Sequence, residues 1–240
     1  MAESICFLGD SISKGVMFDP VKNRYVVIKE NFANRIAEYR DASVKNLSKF
    51  GSTVTDGLHR FQKQLPDLDD CQTVVIEFGG NDSDFLWTEI SMRPDIHHDP
   101  KTVLSVFIQR YTQLIEAVRK SGKLPILLNL PPVDHERYFA WISRDLNADH
   151  ILKWLGGSSE FIYRWHEQYN VAVHKVAGST NTELIDIRSA FLERRDYASL
   201  LCADGIHPSE EGHALIAQAF INHEADCGRG IVYVSDPCSR

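Results

Sequence analysis

Four short segments of this chain carry residue types that together could catalyse acyl transfer. The first is Gly9-Asp10-Ser11, where an apolar run from Ile5 to Leu8 ends and a serine follows. A serine at the end of a buried strand can act as a nucleophile, because a rigid element holds its hydroxyl and a nearby helix N-terminus favours negative charge. Since Gly-Asp-Ser also arises by chance, the hypothesis needs a base, an orienting acid and donors for an oxyanion.

The segment 204–208, Asp-Gly-Ile-His-Pro, supplies candidates for the acid and the base. Asp204 and His207 are three residues apart in a turn restricted by Gly205 and Pro208. This spacing lets the carboxylate accept a hydrogen bond from Nδ1–H of the same imidazole, so that Nε2 faces outward as a general base. The alternative is a surface histidine before a helix, with the aspartate as a turn former.

Two further turns contain candidate oxyanion donors. Residues 79–82, Gly-Gly-Asn-Asp, directly follow an apolar run, and their glycines permit close approach of the backbone while Asn81 offers its side-chain amide. Gly51, in the segment 46–53, can present its backbone N–H to a crevice. Both segments also have an ordinary explanation, since Gly and Asn are frequent turn residues.

All four segments lie at the ends of predicted strands or in the loops beyond them. Strand-like runs cover residues 4–8, 42–47, 73–78, 124–130 and 182–187, and helical periodicity covers residues 31–40, 53–64, 101–120, 161–176 and 210–223. This alternation predicts an α/β fold in which helices cover both faces of a parallel sheet. Open sheets of this kind bind ligands at the carboxyl ends of their strands, so we expect the four segments to meet at one edge.

The ordered set Gly9-Asp10-Ser11, Gly51, Gly79-Gly80-Asn81-Asp82 and Asp204-x-x-His207 resembles that of the SGNH hydrolases, also called GDSL esterases/lipases. The resemblance extends from residue 5 to about residue 222, with isoleucine where the family name has leucine. It implies a flavodoxin-like three-layer α/β/α sandwich with a five-stranded parallel sheet. It also implies a single domain over residues 1–240, with a helical insertion at about 131–160 and a tail at 228–240.

The resemblance further assigns roles to individual residues. Ser11 would be the nucleophile and His207 the general base, with Asp204 orienting the imidazole. The oxyanion hole would consist of the backbone N–H groups of Ser11 and Gly51 and the amide of Asn81. Asp10 is expected to shape the nucleophile turn, and His213 is interpreted as a packing residue. The implied reaction is ester hydrolysis through an acyl-enzyme, which requires no metal or cofactor.

The insertion at 131–160 is rich in aromatic residues and interrupts the alternation. It is either a small helical excursion that packs its own side chains or a wall over the site. The candidate substrate-binding residues, which would stack on sugar rings or line an acyl pocket, are Trp87, Tyr138, Trp141 and Trp154.

The predicted substrate is a small ester with a short acyl group. An acetylated carbohydrate is one such ester, so the predicted activities include that of a carbohydrate acetylesterase. Lysophospholipase or thioesterase activity is the alternative within the same family. A non-catalytic flavodoxin-like binding module is the alternative of a different class.

Composition restricts the partners. The net charge of -7 leaves no basic surplus to neutralise the phosphates of nucleic acid or of an anionic membrane. No apolar run approaches the ~20 residues that span a bilayer, and the N-terminus lacks the pattern of a signal peptide, which predicts a cytoplasmic protein. The 5 cysteines show no CxxC pairing and are expected as reduced thiols.

Two remaining features are candidate ligand or partner sites. The segments 97–99, His-His-Asp, and 149–150, Asp-His, could supply metal ligands, but no paired ligand spacing accompanies them, so no metal site is predicted. In the tail 228–240, residues 231–234 have strand character. They are expected to pack on a sheet edge or on a neighbouring subunit of a homo-oligomer.

Overall fold

In the computed structural model, which describes residues 4–227, five parallel strands form the central sheet. The strands of the chain are β1 (Ser4–Gly9), β2 (Val16–Asp19), β3 (Arg24–Val27), β4 (Ser43–Asn46), β5 (Cys71–Glu77), β6 (Leu124–Leu128) and β7 (Glu183–Ile185). The central sheet has the order β4-β1-β5-β6-β7, and every neighbouring pair in it is parallel. This is the flavodoxin-like order, so the predicted fold class is confirmed.

Helices connect these strands. Over this range they are α1 (Ser11–Lys14), α2 (Phe32–Tyr39), α3 (Val54–Gln64), α4 (Gly80–Ser83), α5 (Trp87–Met92), α6 (Leu104–Lys120), α7 (His135–Ile142), α8 (Ala148–Trp154), α9 (Glu160–Thr180), α10 (Ile187–Leu192) and α11 (Glu210–Asp226), with 3-10 turns at Leu65–Leu68 and Tyr197–Leu200. Local sequence fixes several helix starts. Thr53 and Asp56 form a capping box at α3, and the Ser209 side chain accepts from Gly212 N–H at α11.

The core has two halves, one on each face of the sheet. Alternate residues of β1 point to opposite faces: Cys6 and Leu8 pack with α3, α6 and α9, whereas Ile5 and Phe7 pack with α2, α10 and α11. Because both faces are covered, the middle residues of the central strands are mainly apolar. This double burial holds the carboxyl ends of the strands rigidly at the edge where the motifs lie.

A third, aromatic cluster lies outside the two main halves. It joins α5, α7, α8 and the start of α9, and its buried members are Phe85, Trp87, Ile90, Tyr138, Ile151, Leu155 and Ile162. The insertion 131–160 therefore carries its own helices and packs its own aromatic residues. None of the described helices is long and apolar enough to cross a membrane.

The main difference from the sequence prediction is an antiparallel hairpin formed by β2 and β3, in the register Val16↔Val27 to Asp19↔Arg24. Each of its strands has only four residues, and those of β3 are half-buried or exposed, so the strands are too short and too exposed for a burial pattern to identify them. Two strands alone are marginally stable without further packing. Helix α6 also starts at Leu104 rather than 101, because backbone hydrogen bonds from Lys101 and Thr102 to the α4 region hold these residues outside it. The predicted tail 228–240 lies outside the described residues, and the single-domain organisation stays a prediction.

Candidate active site

Ser11 lies where β1 turns into the short helix α1. The carboxylate of Asp10 accepts a hydrogen bond from the backbone N–H of Ile12 at 2.9 Å and so caps this helix. The turn before it requires Gly9, because a Cβ there would lie 2.6 Å from the carbonyl oxygen of Glu77. The hydroxyl of Ser11 is therefore held by backbone geometry at the carboxyl end of the first strand, as the sequence predicted.

The structure brings the three predicted triad residues into one chain of hydrogen bonds. Oγ of Ser11 lies 2.9 Å from Nε2 of His207, and Nδ1 of His207 lies 2.6 Å from Oδ2 of Asp204. Since the carboxylate accepts from Nδ1–H, Nε2 is free to accept the serine proton. Both Asp204 and His207 are buried.

Asp204 is held in its charged form by its neighbours. Its Oδ1 accepts hydrogen bonds from the backbone N–H groups of Ile206 and His207, each at 3.1 Å. Burial alone would raise the pKa of the Asp204 carboxyl. The hydrogen bond from His207, the His207 charge and the two backbone N–H groups together outweigh burial, so this pKa lies below its usual value. The group at this position is a carboxylate, as orientation of an imidazole requires.

The three predicted oxyanion donors stand around the same cavity as the triad. Nδ2 of Asn81 donates to Oδ2 of Asp10 at 3.0 Å, which fixes the amide and leaves its second N–H for another acceptor. Gly51 has a φ of 73°, and its loop is tied to the nucleophile turn by a 3.1 Å bond from Lys49 N–H to the carbonyl of Gly9. The oxyanion role of these groups stays a prediction.

Three carboxyl groups are buried beneath this edge of the sheet. Asp10 and Glu77 are both buried and close enough to affect each other's charge, and Ser13 Oγ donates to Oε2 of Glu77 at 3.0 Å. Burial raises the pKa of Asp10, and burial together with the nearby Asp10 charge raises that of Glu77 well above its usual value. Burial also raises the pKa of Asp82 to about 7. Of the Asp10 and Glu77 pair, Glu77 is the carboxyl group whose pKa is raised further.

The triad opens into a cavity of about 380 Å³, a size typical of small-molecule sites. Trp87, Tyr138 and Trp141 line it, as predicted. Trp154 does not: it packs behind the wall, with its ring 4.8 Å from that of Phe85. The aromatic residues around the cavity are Tyr25, Phe50, Phe85, Trp87, Tyr138, Trp141, Phe161 and Trp165.

Polar groups interrupt this wall at two places. Asp84 accepts hydrogen bonds from Trp87 Nε1–H at 2.8 Å and Tyr138 O–H at 2.7 Å, and it pairs with Lys101 at 2.8 Å. His166 also lines the cavity, and its buried Nδ1 has no partner among the described residues. Burial, with help from the nearby Arg188 charge, lowers the pKa of His166 to about 3, so its imidazole is neutral.

The functional candidates that sequence patterns do not identify are Tyr25, Phe50 and His166. The Tyr25 ring lies 5.1 Å from the His207 ring, and the Phe50 ring stacks on His207 at 5.9 Å. Of these three residues, only Phe50 could have been suspected from its position in the sequence, because it directly precedes the predicted oxyanion residue Gly51. His166 follows helical spacing on the apolar face of α9 and is indistinguishable by pattern from a core residue.

The histidine segments considered for metal binding serve local structure instead. His98 Nε2 lies 2.8 Å from the carbonyl oxygen of Arg93, and His150 Nδ1 lies 2.7 Å from that of Ser91. Within residues 4–227, another group could offer metal ligands, and its members are Glu183, His223 and Cys227. Their potential ligand atoms all lie within 4.8 Å of one another. That group is on α11 and β7, away from the triad.

Comparison with known proteins gives one family. The sequence matches the GDSL-like lipase/acylhydrolase family over residues 7–215. A stretch of 68 residues is 34% identical to the acetylxylan esterase of Geobacillus stearothermophilus, covering 28% of this chain and 31% of that protein. The matched stretch thus spans about a third of that relative's length.

Solved structures share the fold over nearly the whole chain. A lipase/acylhydrolase from Enterococcus faecalis superposes with a TM-score of 0.65 at 20% identity, covering 94% of this chain and 96% of that one. A catalytic mutant of an acetylxylan esterase from Geobacillus stearothermophilus gives a TM-score of 0.62 at 19% identity, covering 98% and 97% of the two chains. At these identities the likeness establishes a common architecture.

Proposed function

Because this chain belongs to the GDSL-like lipase/acylhydrolase family, a family of ester-hydrolysing serine enzymes, we propose that it hydrolyses small carboxylic esters through an acyl-enzyme on Ser11. The observation that carries the proposal is the hydrogen-bonded chain from Ser11 Oγ to Nε2 of His207, and from its Nδ1 to Asp204. A non-catalytic binding module has no need for a nucleophile, base and carboxylate in this order.

The proposed reaction has two steps. As Ser11 Oγ attacks the ester carbonyl, Nε2 of His207 accepts its proton, and the resulting imidazolium passes that proton to the departing alcohol. Water then attacks the acyl-enzyme with His207 again as base, releasing the acid and restoring Ser11. The amide of Asn81 and the N–H groups of Ser11 and Gly51 donate to the oxyanion, each contributing on the order of 3 kcal/mol in the transition state.

The size and lining of the cavity favour a short acyl group and a carbohydrate alcohol. A volume of about 380 Å³ must hold both parts of the ester. Aromatic rings such as those of Trp87 and Trp141 suit the apolar faces of a sugar, and the polar groups of Asp84 and Lys101 suit its hydroxyls. The similar sequence and a similar solved structure from Geobacillus stearothermophilus are both named acetylxylan esterase. The apolar wall also supports the second candidate, a lysophospholipase or thioesterase.

Hydrolysis of p-nitrophenyl acetate tests the reaction. We expect Ser11→Ala to lower kcat by at least about 10³-fold, because removal of the nucleophile leaves only binding and oxyanion stabilisation. Ser105→Ala, at an exposed serine of α6, is the matched control and should behave as the unaltered protein. Near-full activity of Ser11→Ala would overturn the proposal.

Two substrate series test the specificity. With p-nitrophenyl esters of increasing chain length, the rate should be highest for the shortest acyl groups, and a maximum at eight carbons or more would favour the lipid or thioester candidate instead. Acetate release from an acetylated methyl xyloside should exceed release from ethyl acetate. Trp141→Ala should raise KM for the xyloside more than it raises KM for ethyl acetate, and equal effects on both would argue against sugar stacking at this ring.

A further inference from the structure

We propose that Tyr25 is a positioning residue of this catalytic centre, with its hydroxyl holding the carboxylate that orients His207. The proposal rests on the function proposed above and adds a residue that neither the sequence motifs nor the comparisons identify. The Tyr25 hydroxyl donates to Oδ2 of Asp204 at 3.0 Å. That same oxygen accepts from Nδ1–H of His207 at 2.6 Å.

Tyr25 completes the set of donors around the carboxylate. Oδ1 of Asp204 accepts the backbone N–H groups of Ile206 and His207, and Oδ2 accepts the imidazole and the phenol. Three of the four donors come from the turn that carries Asp204 and His207. The phenol alone comes from a distant part of the chain, the β2–β3 hairpin, so it fixes the position of that turn relative to the start of the chain.

Toward the Asp204 carboxylate the phenol can act only as a donor. Burial and the adjacent Asp204 charge raise the pKa of Tyr25 above its usual value, so the group keeps its proton throughout the pH range of an esterase assay. Rotation of the carboxylate would break hydrogen bonds to its four donors. Charge-assisted hydrogen bonds of this kind are stronger than neutral ones. The imidazole consequently keeps one orientation toward Ser11.

Ring contacts hold the hydroxyl in place. The Tyr25 ring lies 5.4 Å from Phe18 of the paired strand and 5.3 Å from Phe50, and Phe18 in turn lies 4.5 Å from Trp141 of α7. The hairpin is thereby packed between the insertion and the triad. Removing only the hydroxyl should leave these contacts intact, which separates the hydrogen bond from the packing.

The hydrogen bond also has an electrostatic effect. A donor on Oδ2 offsets part of the carboxylate charge, so its removal leaves more negative charge beside the imidazole and favours the protonated base. The other ionisable groups that act on Tyr25, Asp204 or His207 are Asp10 before α1, Tyr138 of α7 and Arg144 after it, Cys202, and His213 of α11. None of them changes when only the Tyr25 hydroxyl is removed, so a shift in the pH profile reports the lost bond.

The test is Tyr25→Phe, assayed with p-nitrophenyl acetate from pH 5 to 9. We expect kcat to fall about tenfold with KM unchanged, and the acid limb of the kcat/KM profile to move upward by about half a pH unit. The low-field proton resonance of the Asp204–His207 hydrogen bond should also shift. Tyr39→Phe, at a half-exposed tyrosine of α2, is the matched control and should change none of these quantities.

Several outcomes would overturn the proposal. An unchanged acid limb and resonance in a folded Tyr25→Phe would do so even if kcat fell, because packing alone then explains the loss. Tyr25→Leu, which also removes the ring, should lower the melting temperature as well; an equal fall in Tyr25→Phe would assign the residue to packing. The resonance measurement requires no turnover, so it tests Tyr25 even if the protein hydrolyses no ester and the proposed function fails.

Discussion

At the scale of single residues, four buried carboxyl groups near the site differ in pKa because their surroundings differ. Asp204 meets a histidine and two backbone N–H groups and has a lowered pKa, whereas Asp10, Glu77 and Asp82 have raised pKa values because burial dominates. Of the four, Asp204 is the one hydrogen-bonded to the imidazole of His207. Residue type alone could not have distinguished them.

The role of Asp204 can be tested by removing its charge. Asp204→Asn should lower kcat about 10⁴-fold, because an amide stabilises neither the imidazolium nor the tautomer that leaves Nε2 free. The measurement is steady-state hydrolysis of p-nitrophenyl acetate, with Asp145→Asn at an exposed aspartate as the control. A loss of less than tenfold would contradict the assigned role.

His166 provides a second test at this scale. His166→Phe removes a buried polar group whose Nδ1 has no partner among the described residues and makes the cavity wall more apolar. We expect the ratio of octanoyl to acetyl ester hydrolysis to rise about tenfold, in line with ~1.4 kcal/mol of apolar contact, and the melting temperature to rise. The exposed His59, changed to Phe, is the control. An unchanged ratio would mean that this ring does not contact the acyl group.

At the scale of elements, the insertion is joined directly to the triad turn. The backbone N–H of Asp134, the N-cap of α7, donates to the carbonyl oxygen of Gly205 at 2.8 Å. Gly205 has a φ of 75°, and a Cβ on it would lie 2.6 Å from the carbonyl oxygen of Asp134 and 2.9 Å from Tyr138 N. The start of α7 thus packs against the turn that carries Asp204 and His207. A displacement of α7, which forms part of the cavity wall, would therefore also displace His207.

This contact predicts the effect of Gly205→Ala. The added methyl group must push α7 away or move the triad turn, so we expect kcat/KM to fall at least tenfold and the melting temperature to drop. Gly122→Ala is the matched control, because Gly122 has a φ of 76° and no atom within 4 Å of the new Cβ. That control should lose only the ~1–2 kcal/mol of a left-handed backbone and keep full activity. Equal kinetic effects would show that backbone strain, not the contact with α7, matters.

Sequence patterns predicted those elements whose burial leaves a periodic signal. The apolar runs of β5 and β6 and the helical spacing of α6 identified the sheet and its layers, and the four motifs placed the triad residues at one edge. The β2–β3 hairpin, which carries Tyr25, was not predicted, because its strands have only four residues each and part of their packing is against rings elsewhere in the chain. The prediction that Trp154 lines the cavity was wrong. Composition shows that the insertion is rich in aromatic residues, but it does not show which of their rings face the cavity.

At the scale of the whole molecule, the buried carboxyl groups make stability depend on pH. Asp82 has a folded-state pKa of about 7 against a usual value of 3.8, so the folded protein binds a proton here that the unfolded chain releases. Its contribution is complete below the unfolded pKa and is lost as the pH rises through about 7. We expect the unaltered protein to be less stable at pH 8 than at pH 5, by on the order of 2–4 kcal/mol from this group.

Asp82→Asn tests this dependence. The amide oxygen can still accept from the backbone N–H of Val54, to which the carboxylate is now bonded at 3.1–3.2 Å, but it does not titrate. The fall in unfolding free energy between pH 5 and pH 8, measured by urea denaturation, should become smaller. Asp145→Asn should leave it unchanged, and a fall of undiminished size in Asp82→Asn would assign the pH dependence to other groups.

Ser11 and His207 are 196 residues apart in sequence and 2.9 Å apart in space. A ribosome therefore produces the nucleophile 196 residues before its base. Any chain that stops before residue 207 carries a serine with no partner to activate it, so an unfinished product cannot hydrolyse esters. Turnover of a chromogenic ester during cell-free translation would accordingly report only those chains that have been extended past residue 207 and have folded.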